Sequence, residues 1–440
     1  MASGNKLEVA QPRLGWLVDG LDTEDRAVML RDTGTAIELT VPTRGYQEPD
    51  GGHGDWFAAD SFITRIPAPP PRLEMPSVLA FEDGDGAVAL AGCQARSGSS
   101  GTHGGHGVIR ADYAIFGVGS LAYAQVNGMR TELPFLPQWM GRRNVHAEWT
   151  QQVTNRAGSL EVNVEPPELI RVARNLNLAL RRGYRAKVSP VPGRTLFEDI
   201  VEVETRVSRP RAWDEHLAVH RAIADLLALA AWKPAGHHRM SAVIDRDPQR
   251  TMTGAGRGAP WREVATHRLP RQPYVEERQH FLFGFEDIGV AGLRRWLGMR
   301  RFFARGLDPV IALAQRPEQD LQTVVMQAGV AIEALGYLIC RHEHEGAHLN
   351  RWDQMPYAEA ARHLVGECTS QPVPDADEWV QASSDAYRAV KHADNDMPDL
   401  EIVLTSALDS LSVVRYWVAT RLGCSAERLE HARRLDPLRR

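Results

Sequence analysis

From Leu14 to about Val207, apolar residues fall in short runs that alternate with polar or small neighbours, the period of a strand with one buried face. Ile37, Leu39 and Val41 show it, as do Leu160, Val162 and Val164, and then Val201, Val203, Thr205 and Val207. Asp32-Thr33-Gly34, Asp83-Gly84-Asp85-Gly86, Asn127-Gly128 and Ala157-Gly158 supply turn chemistry between the runs. The pattern predicts a β-rich, antiparallel N-terminal domain. Within it Pro67–Pro71 reads as an extended connector, Gly45–Asp55 as a mobile loop, and the Gly/Ser/His stretch Ser97–Gly107 as a surface loop.

Beyond Trp213 the period changes. Leu217, Ile223, Leu226, Leu227 and Ala230 fall close to one helical face, with Asp214 as the N-cap and Pro234 and Gly236 as the stop. Arg246–Tyr274 is polar with little periodicity and reads as a boundary or a long decorated loop. From Phe283–Ile288 onward the chain is helical. Leu293, Trp296, Leu297, Phe302 and Phe303 belong to one segment, closed by Gly306 and Pro309. Glu318–Arg341 is apolar on more than one face, which places it in the middle of a bundle. Pro356–Glu367 gives a shorter helix, Asp375–Glu378 opens the next with acids in its first turn, and Leu400–Leu422 is a long helix stopped by Gly423, followed by a short basic one from Ser425. The fold class is α+β: a β-rich antiparallel domain with a packed helix over residues 1–280, and an all-α bundle over 281–440.

Composition narrows the function. A net charge of -5 and a pI near 6.4 exclude bulk positive charge as the means of coating nucleic acid. Cys93, Cys340, Cys368 and Cys424 form no CxxC pair, so neither a zinc ribbon nor a disulfide scaffold is signalled, and a reducing, cytoplasmic setting follows. The start of the chain has no apolar signal-peptide core, and Gln327 and Glu333 interrupt the longest apolar run, which reads as a buried helix of a soluble protein without a membrane role.

Several histidines invite a metal reading. His103 and His106 lie in the glycine-rich loop, with neither GxGxxG order nor a P-loop lysine beside them, and His237-His238 are adjacent side chains that rarely converge on one ion. Cys340, His342, His344 and His348 crowd the end of the central helix with Glu343 and Glu345, where no second element is evident to hold an ion. A metal-dependent small-molecule hydrolase at His103 or His344 is one reading, but no metal ligand and no cofactor is assigned. A stronger signal lies in Asp385–Asp396. If the helix from Asp377 continues through His392, Arg388 and His392 share one face about a turn apart. Such a pair also favours a helix C-terminus simply as solvated cations, yet Arg can fork onto a phosphate while His exchanges a proton near neutral pH.

Ala331-Ile332-Glu333-Ala334-Leu335, then Tyr387-Arg388-Ala389-Val390-Lys391-His392-Ala393-Asp394, then Leu411–Trp417 resemble the HEPN superfamily, and within it the ApeA-like HEPN proteins of bacterial anti-phage defence. The β-rich part with its late helix is similar to the domain that accompanies that HEPN unit. The resemblance implies a metal-independent endoribonuclease without cofactor, dimeric through the C-terminal bundle, so that two Arg/His motifs share one cleft over RNA. It implies a sheet domain acting as sensor or brake, with a phage-derived activator as a further partner. Arg388 would hold the scissile phosphate and His392 would serve as general base or acid. Glu333 would orient Arg388 from the next helix, or be satisfied by a structural Arg or Tyr hydroxyl. Three residues separate Arg388 from His392, fewer than the family usually has, and Ala389 stands where a polar residue is common. Asp394 or Asn395 would then supply the missing polar group, or the protein is an inactive HEPN relative that only dimerises and binds.

Overall fold

In the computed structural model the described residues are all except 1–4, 22–24, 45–51, 58–72, 151–158, 189–194, 250–255, 276, 317 and 440. In chain order come β1 (Arg13–Val18), β2 (Arg26–Asp32), β3 (Ile37–Thr43), β4 (Val78–Asp83), β5 (Gly86–Ala91), β6 (Gln94–Ser100), β7 (Gly105–Ala111), β8 (Tyr113–Phe116) and β9 (Val126–Glu132). Then follow α1 (Leu136–Met140), β10 (Val145–Thr150), β11 (Ser159–Val164), β12 (Glu168–Ala173), β13 (Leu178–Val188), β14 (Thr195–Arg211), α2 (Trp213–Ala231), β15 (Arg239–Val243) and β16 (Arg262–Thr266). The rest is helical: α3 (Phe285–Phe302), α4 (Ala304–Gln315), α5 (Leu321–Glu343), α6 (Tyr357–Glu367), α7 (Ala376–Lys391), α8 (Leu400–Leu422) and α9 (Ala426–Arg433). A large antiparallel sheet region followed by helices is an α+β layout, as the alternation and its later change of period lead one to expect. The chain forms two compact units, residues 1–131, 204–218 and 237–271 in one and 132–203, 219–236 and 272–440 in the other, so β14 and α2 contribute to both.

In the first unit the hydrogen-bonded strand order is β9-β15-β16-β8-β5-β4-β1-β2-β3-β7-β6. Antiparallel registers such as Leu30↔Leu39, Leu39↔Ile109 and Leu17↔Phe81 carry one apolar face across it. That face buries Val28, Leu30, Leu39, Phe81, Leu90 and Ile109 completely or nearly so, as a period-two pattern requires. Asp32 and Asp83 shape the hairpin turns as expected, accepting hydrogen bonds from the backbone of Gly34 (2.8 Å) and of Asp85 (2.9 Å).

Several sequence expectations are corrected here. The supposed loop Ser97–Gly107 is mostly the β6–β7 hairpin. Asn127-Gly128 is no turn but lies in β9: Asn127 is buried, its amide donating to the carbonyls of Val207 and Ser208 at 3.1 Å each, and a Cβ on Gly128 would overlap the Thr205 carbonyl. Arg246–Tyr274 contains β16, paired with β15 and β8. Asp214 is the second residue of α2 rather than its cap. Of Gly45–Asp55, residues 45–51 are outside the described residues, while 53–57 form a 3-10 turn that buries Trp56. Pro67–Pro71 and Ala157-Gly158 are also outside them.

His216 and His237 are buried in this unit. His216 meets the Thr205 hydroxyl at 2.8 Å and the Val126 carbonyl at 3.3 Å, and burial holds its pKa below the ordinary value. Burial likewise pushes His237 down to about 4. Burial favours the neutral imidazole in both.

In the second unit α5 is the central helix, packed against α4, α6, α7 and α8. Asp320 caps it, accepting from the Thr323 backbone at 2.9 Å and its hydroxyl at 2.7 Å. Glycines let the neighbours approach: a Cβ on Gly306 would overlap Leu335, one on Gly329 the Tyr387 ring, and one on Gly336 the Ala360 backbone. Gly306 and Pro309 do not close a helix as expected. They lie inside α4, which forgoes one backbone hydrogen bond at the proline. By length and composition α5 and α8 could each cross a bilayer, and in the bundle their most apolar windows are 50% and 72% buried.

At the centre of α8 sits a charge with no access to solvent. Arg415 donates to both Asp436 oxygens at 2.6 and 2.9 Å, to the Leu229 carbonyl at 2.8 Å and to the Ala230 carbonyl at 3.3 Å, and both side chains of the pair are 0% exposed. The two carbonyls belong to the last turn of α2, whose dipole adds to the attraction.

Removing one member of that pair strands its partner. Asp436→Ala is expected to lower unfolding free energy by about 3–5 kcal/mol, read from urea denaturation; an unchanged midpoint would show that the pair is dispensable. Neutral burial of His216 and His237 means the unfolded chain binds more protons than the folded one below the ordinary histidine range. Stability is therefore expected to fall as pH drops from about 6.5 towards 4, and His237→Gln should flatten that slope in denaturation curves taken at several pH values.

Candidate functional site

The site is built on the C-terminal turn of α7. Its start is fixed by Asp375, whose carboxylate accepts from the Glu378 backbone at 3.0 Å, with Asp377 and Glu378 in the favourable first turn. Trp379, Val380, Ser383, Ser384, Ala386, Tyr387 and Ala389 form the buried face. Trp379 donates its indole N–H to Ser410 on α8 at 3.2 Å, and the Tyr387 ring lies 5.2 Å from that of Tyr357 on α6. The outward face at the end of the helix carries Arg388 and Lys391, both exposed.

The helix stops one residue sooner than expected. Lys391 is its last residue, and His392 has left helical geometry, with φ -131° and ψ 112°, although its N–H still reaches the Arg388 carbonyl at 2.9 Å. Asn395 closes the end: its backbone N–H donates to the His392 carbonyl at 3.1 Å and its amide to the Arg388 carbonyl at 3.4 Å. Arg388 and His392 thus remain a turn apart and both exposed, but helix geometry does not set their common direction. Asp394 is exposed beside them. Among the described residues, the guanidinium of Arg388, the imidazole of His392 and the carboxylate of Asp394 have no ion pair or side-chain hydrogen bond.

Glu333 does not hold Arg388. Its carboxylate accepts from the Tyr387 hydroxyl at 3.0 Å and faces Lys391 Nζ at 3.9 Å, while that ammonium lies 4.9 Å from the centre of the Tyr387 ring. Burial, and after it the charge of Glu333, push the Tyr387 hydroxyl well above its ordinary pKa, so it stays a donor. Burial likewise pushes Tyr357 up to about 12. Both ends of the Lys391–Glu333 pair are 35–40% exposed, which leaves it a weak contact of roughly 0–1 kcal/mol. The carboxylate therefore anchors the wall of α7 through Tyr387 and leaves Arg388 unengaged. Sequence reasoning flagged Glu333 as needing a partner; Gly329, one turn earlier on the same face, is the signal for a ring lying there.

The histidine-rich end of α5 is a second cluster. His344 and His348 meet His363 of α6, which sequence spacing did not bring into view, with ring centres 4.4–6.0 Å apart. Burial first, then the neighbouring His348 and His344, lower the His363 pKa. His342 instead lies against Phe302, and Cys340 is buried, its sulfur accepting from the His348 backbone at 3.4 Å. Among the described residues no three donors are grouped so as to hold a metal ion. His103 and His106 lie on the β6–β7 hairpin, away from any such group.

Gly329→Ala forces its methyl into the Tyr387 ring. The substitution is expected to cost about 1–3 kcal/mol of stability and to break the Tyr387–Glu333 contact, seen as lost protection of the α7 amides in hydrogen exchange. Wild-type exchange in the variant would mean that the ring can move aside freely.

The family profile described as ApeA N-terminal domain 1 matches residues 30–296, more than half of the chain. Searches of curated proteins and of solved structures each found no match. The match takes in the end of β2, every strand from β3 to β16, α2 and most of α3, so it rests on the sheet region rather than on α7. That sheet region identifies the chain as a member of the ApeA family of anti-phage defence proteins.

Proposed function

We propose that this defence protein acts by cutting RNA without a metal ion, at a groove where Arg388 and His392 of two copies meet through a HEPN-like helical bundle. The observation that carries the reading is the unengaged, exposed pair at the end of α7, next to a carboxylate that is already satisfied by Tyr387. In the reaction, His392 takes the proton of a ribose 2′-hydroxyl as its oxygen attacks the adjacent phosphorus. The bond to the 5′-oxygen breaks, a 2′,3′-cyclic phosphate forms, and a histidine of the second copy returns a proton to the departing oxygen. Arg388 neutralises charge growing on the phosphoryl oxygens. The need for a 2′-hydroxyl restricts cleavage to RNA. The sheet region acts as sensor or brake and a phage-derived component as activator.

The extended backbone of His392 and the short Arg-to-His spacing favour a second reading, a HEPN protein without catalysis that dimerises and binds. The two are separated by purified protein incubated with RNA, with and without phage lysate fractions. Because both side chains are exposed, Arg388→Ala and His392→Ala should fold normally and lower cleavage by about a hundredfold or more, while EDTA leaves it unchanged. Cleavage that survives both substitutions, or that EDTA abolishes, would remove this assignment.

A further inference from the structure

A cavity in the second unit has a chemistry that the nuclease reading leaves unused. It encloses about 800 Å³, a size ordinary for small-molecule clefts, and Arg142, Arg143, Arg278 and Arg428 line it together with the rings of Phe197 and Tyr274. No residue of α7 contributes to it. Phe197 and Tyr274 are 37% and 44% exposed at its wall.

The acids in the wall are already committed. Asp199 accepts from the backbone N–H groups of Asn144 and Val145 at 2.6 and 3.0 Å, and Glu198 faces Arg185 at 3.6 Å and Lys187 at 4.0 Å. Arg428 is held in place by Asp287 at 3.0 Å. Arg142 has only a loose contact with Glu286 at 3.6 Å, both more than half exposed, and the Arg143 and Arg278 guanidinium groups have no partner among the described residues. A neighbouring cavity of about 500 Å³ shares Arg142 and Arg143 and adds Arg182. Arg182 is 5% exposed and already engaged: it bonds Glu168 at 2.7 Å and the Arg143 carbonyl at 3.2 Å, and faces Glu165, which also lines this cavity, at 4.0 Å. Two unengaged guanidinium groups, Arg143 and Arg278, beside the loosely paired Arg142 are a setting for a multivalent anion.

We propose that this cleft binds a nucleotide, free or as one link of a single RNA strand. Guanidinium groups fork onto the phosphate oxygens, and Tyr274 or Phe197 stacks on the base. An acidic peptide would satisfy the cations but leave the ring faces idle, which is why the nucleotide is favoured. The site does not depend on cleavage at Arg388.

The test uses the full chain carrying Arg388→Ala, so that RNA stays intact, and follows fluorescence anisotropy of a short labelled single-stranded RNA and of a labelled adenine nucleotide. At least one probe should bind, with affinity falling as salt rises. Arg142→Glu combined with Arg278→Glu, both exposed positions, should weaken binding by about tenfold or more with an unchanged circular dichroism spectrum. Tyr274→Ala should weaken it as well. Binding of the adenine nucleotide supports a free ligand, and binding of RNA alone supports a strand. The proposal is overturned by binding of neither probe, by wild-type affinity in the doubly substituted protein, or by a polyglutamate peptide competing as well as the nucleotide. Loss of binding in the cleft variant with cleavage intact, or the reverse, keeps this proposal separate from the fate of the nuclease assignment.

Discussion

Close approach to α5 is the constraint from which the helical unit follows. Three glycines take up the space that side chains would otherwise need: Gly306 beneath Leu335, Gly329 beneath the Tyr387 ring and Gly336 beneath Ala360. Each lets a different neighbour settle within reach of the same helix, α4 through its own glycine and α7 and α6 through those of α5. The contact at Gly329 matters for chemistry as well as packing. It lets the Tyr387 hydroxyl reach Glu333 across the helix pair, so that the carboxylate accepts a hydrogen bond there and faces Lys391 at 3.9 Å. Arg388, the next residue, faces solvent.

Much of this could be read from the residues, and what could not failed for identifiable reasons. Alternation was legible at β3, β11 and β14, and apolar periodicity with caps gave α5 through α8 closely, down to the left-handed Gly423 that ends α8. β6 was missed because all of its residues are exposed at the end of the sheet, so no apolar face marks them. Gly128 suggested a turn, but its real cause is a carbonyl passing close by in a strand, a contact distant in sequence. Pro309 suggested a stop, and packing of α4 on α5 overrode it.

The site itself was only partly legible. Residue types at Arg388, His392, Asp394 and Asn395 announced a polar, exposed cluster, and that is what stands there. The helix end was misplaced by one residue because His392 is the C-cap, still bonded to the Arg388 carbonyl but with extended backbone, and Asn395 adds a second donor to that carbonyl, a local detail that hydrophobic periodicity does not encode. The role of Glu333 could not be settled by spacing, since Tyr387 and Arg388 are adjacent and only three-dimensional packing chooses between them. The basic cleft was invisible for a simpler reason: its cations come from segments as far apart as Arg142 and Arg428.

The buried guanidinium of α8 bears on how the chain matures during synthesis. Its partners lie 186 residues upstream, at Leu229, and 21 residues downstream, at Asp436. Without that aspartate, α8 carries a positive charge that is costly to enclose, so closing the helical unit around it depends on the segment that carries Asp436. A nascent chain that stalls short of it would expose the apolar faces of α5 and α8 together, which is the kind of surface that chaperones hold and proteases clear.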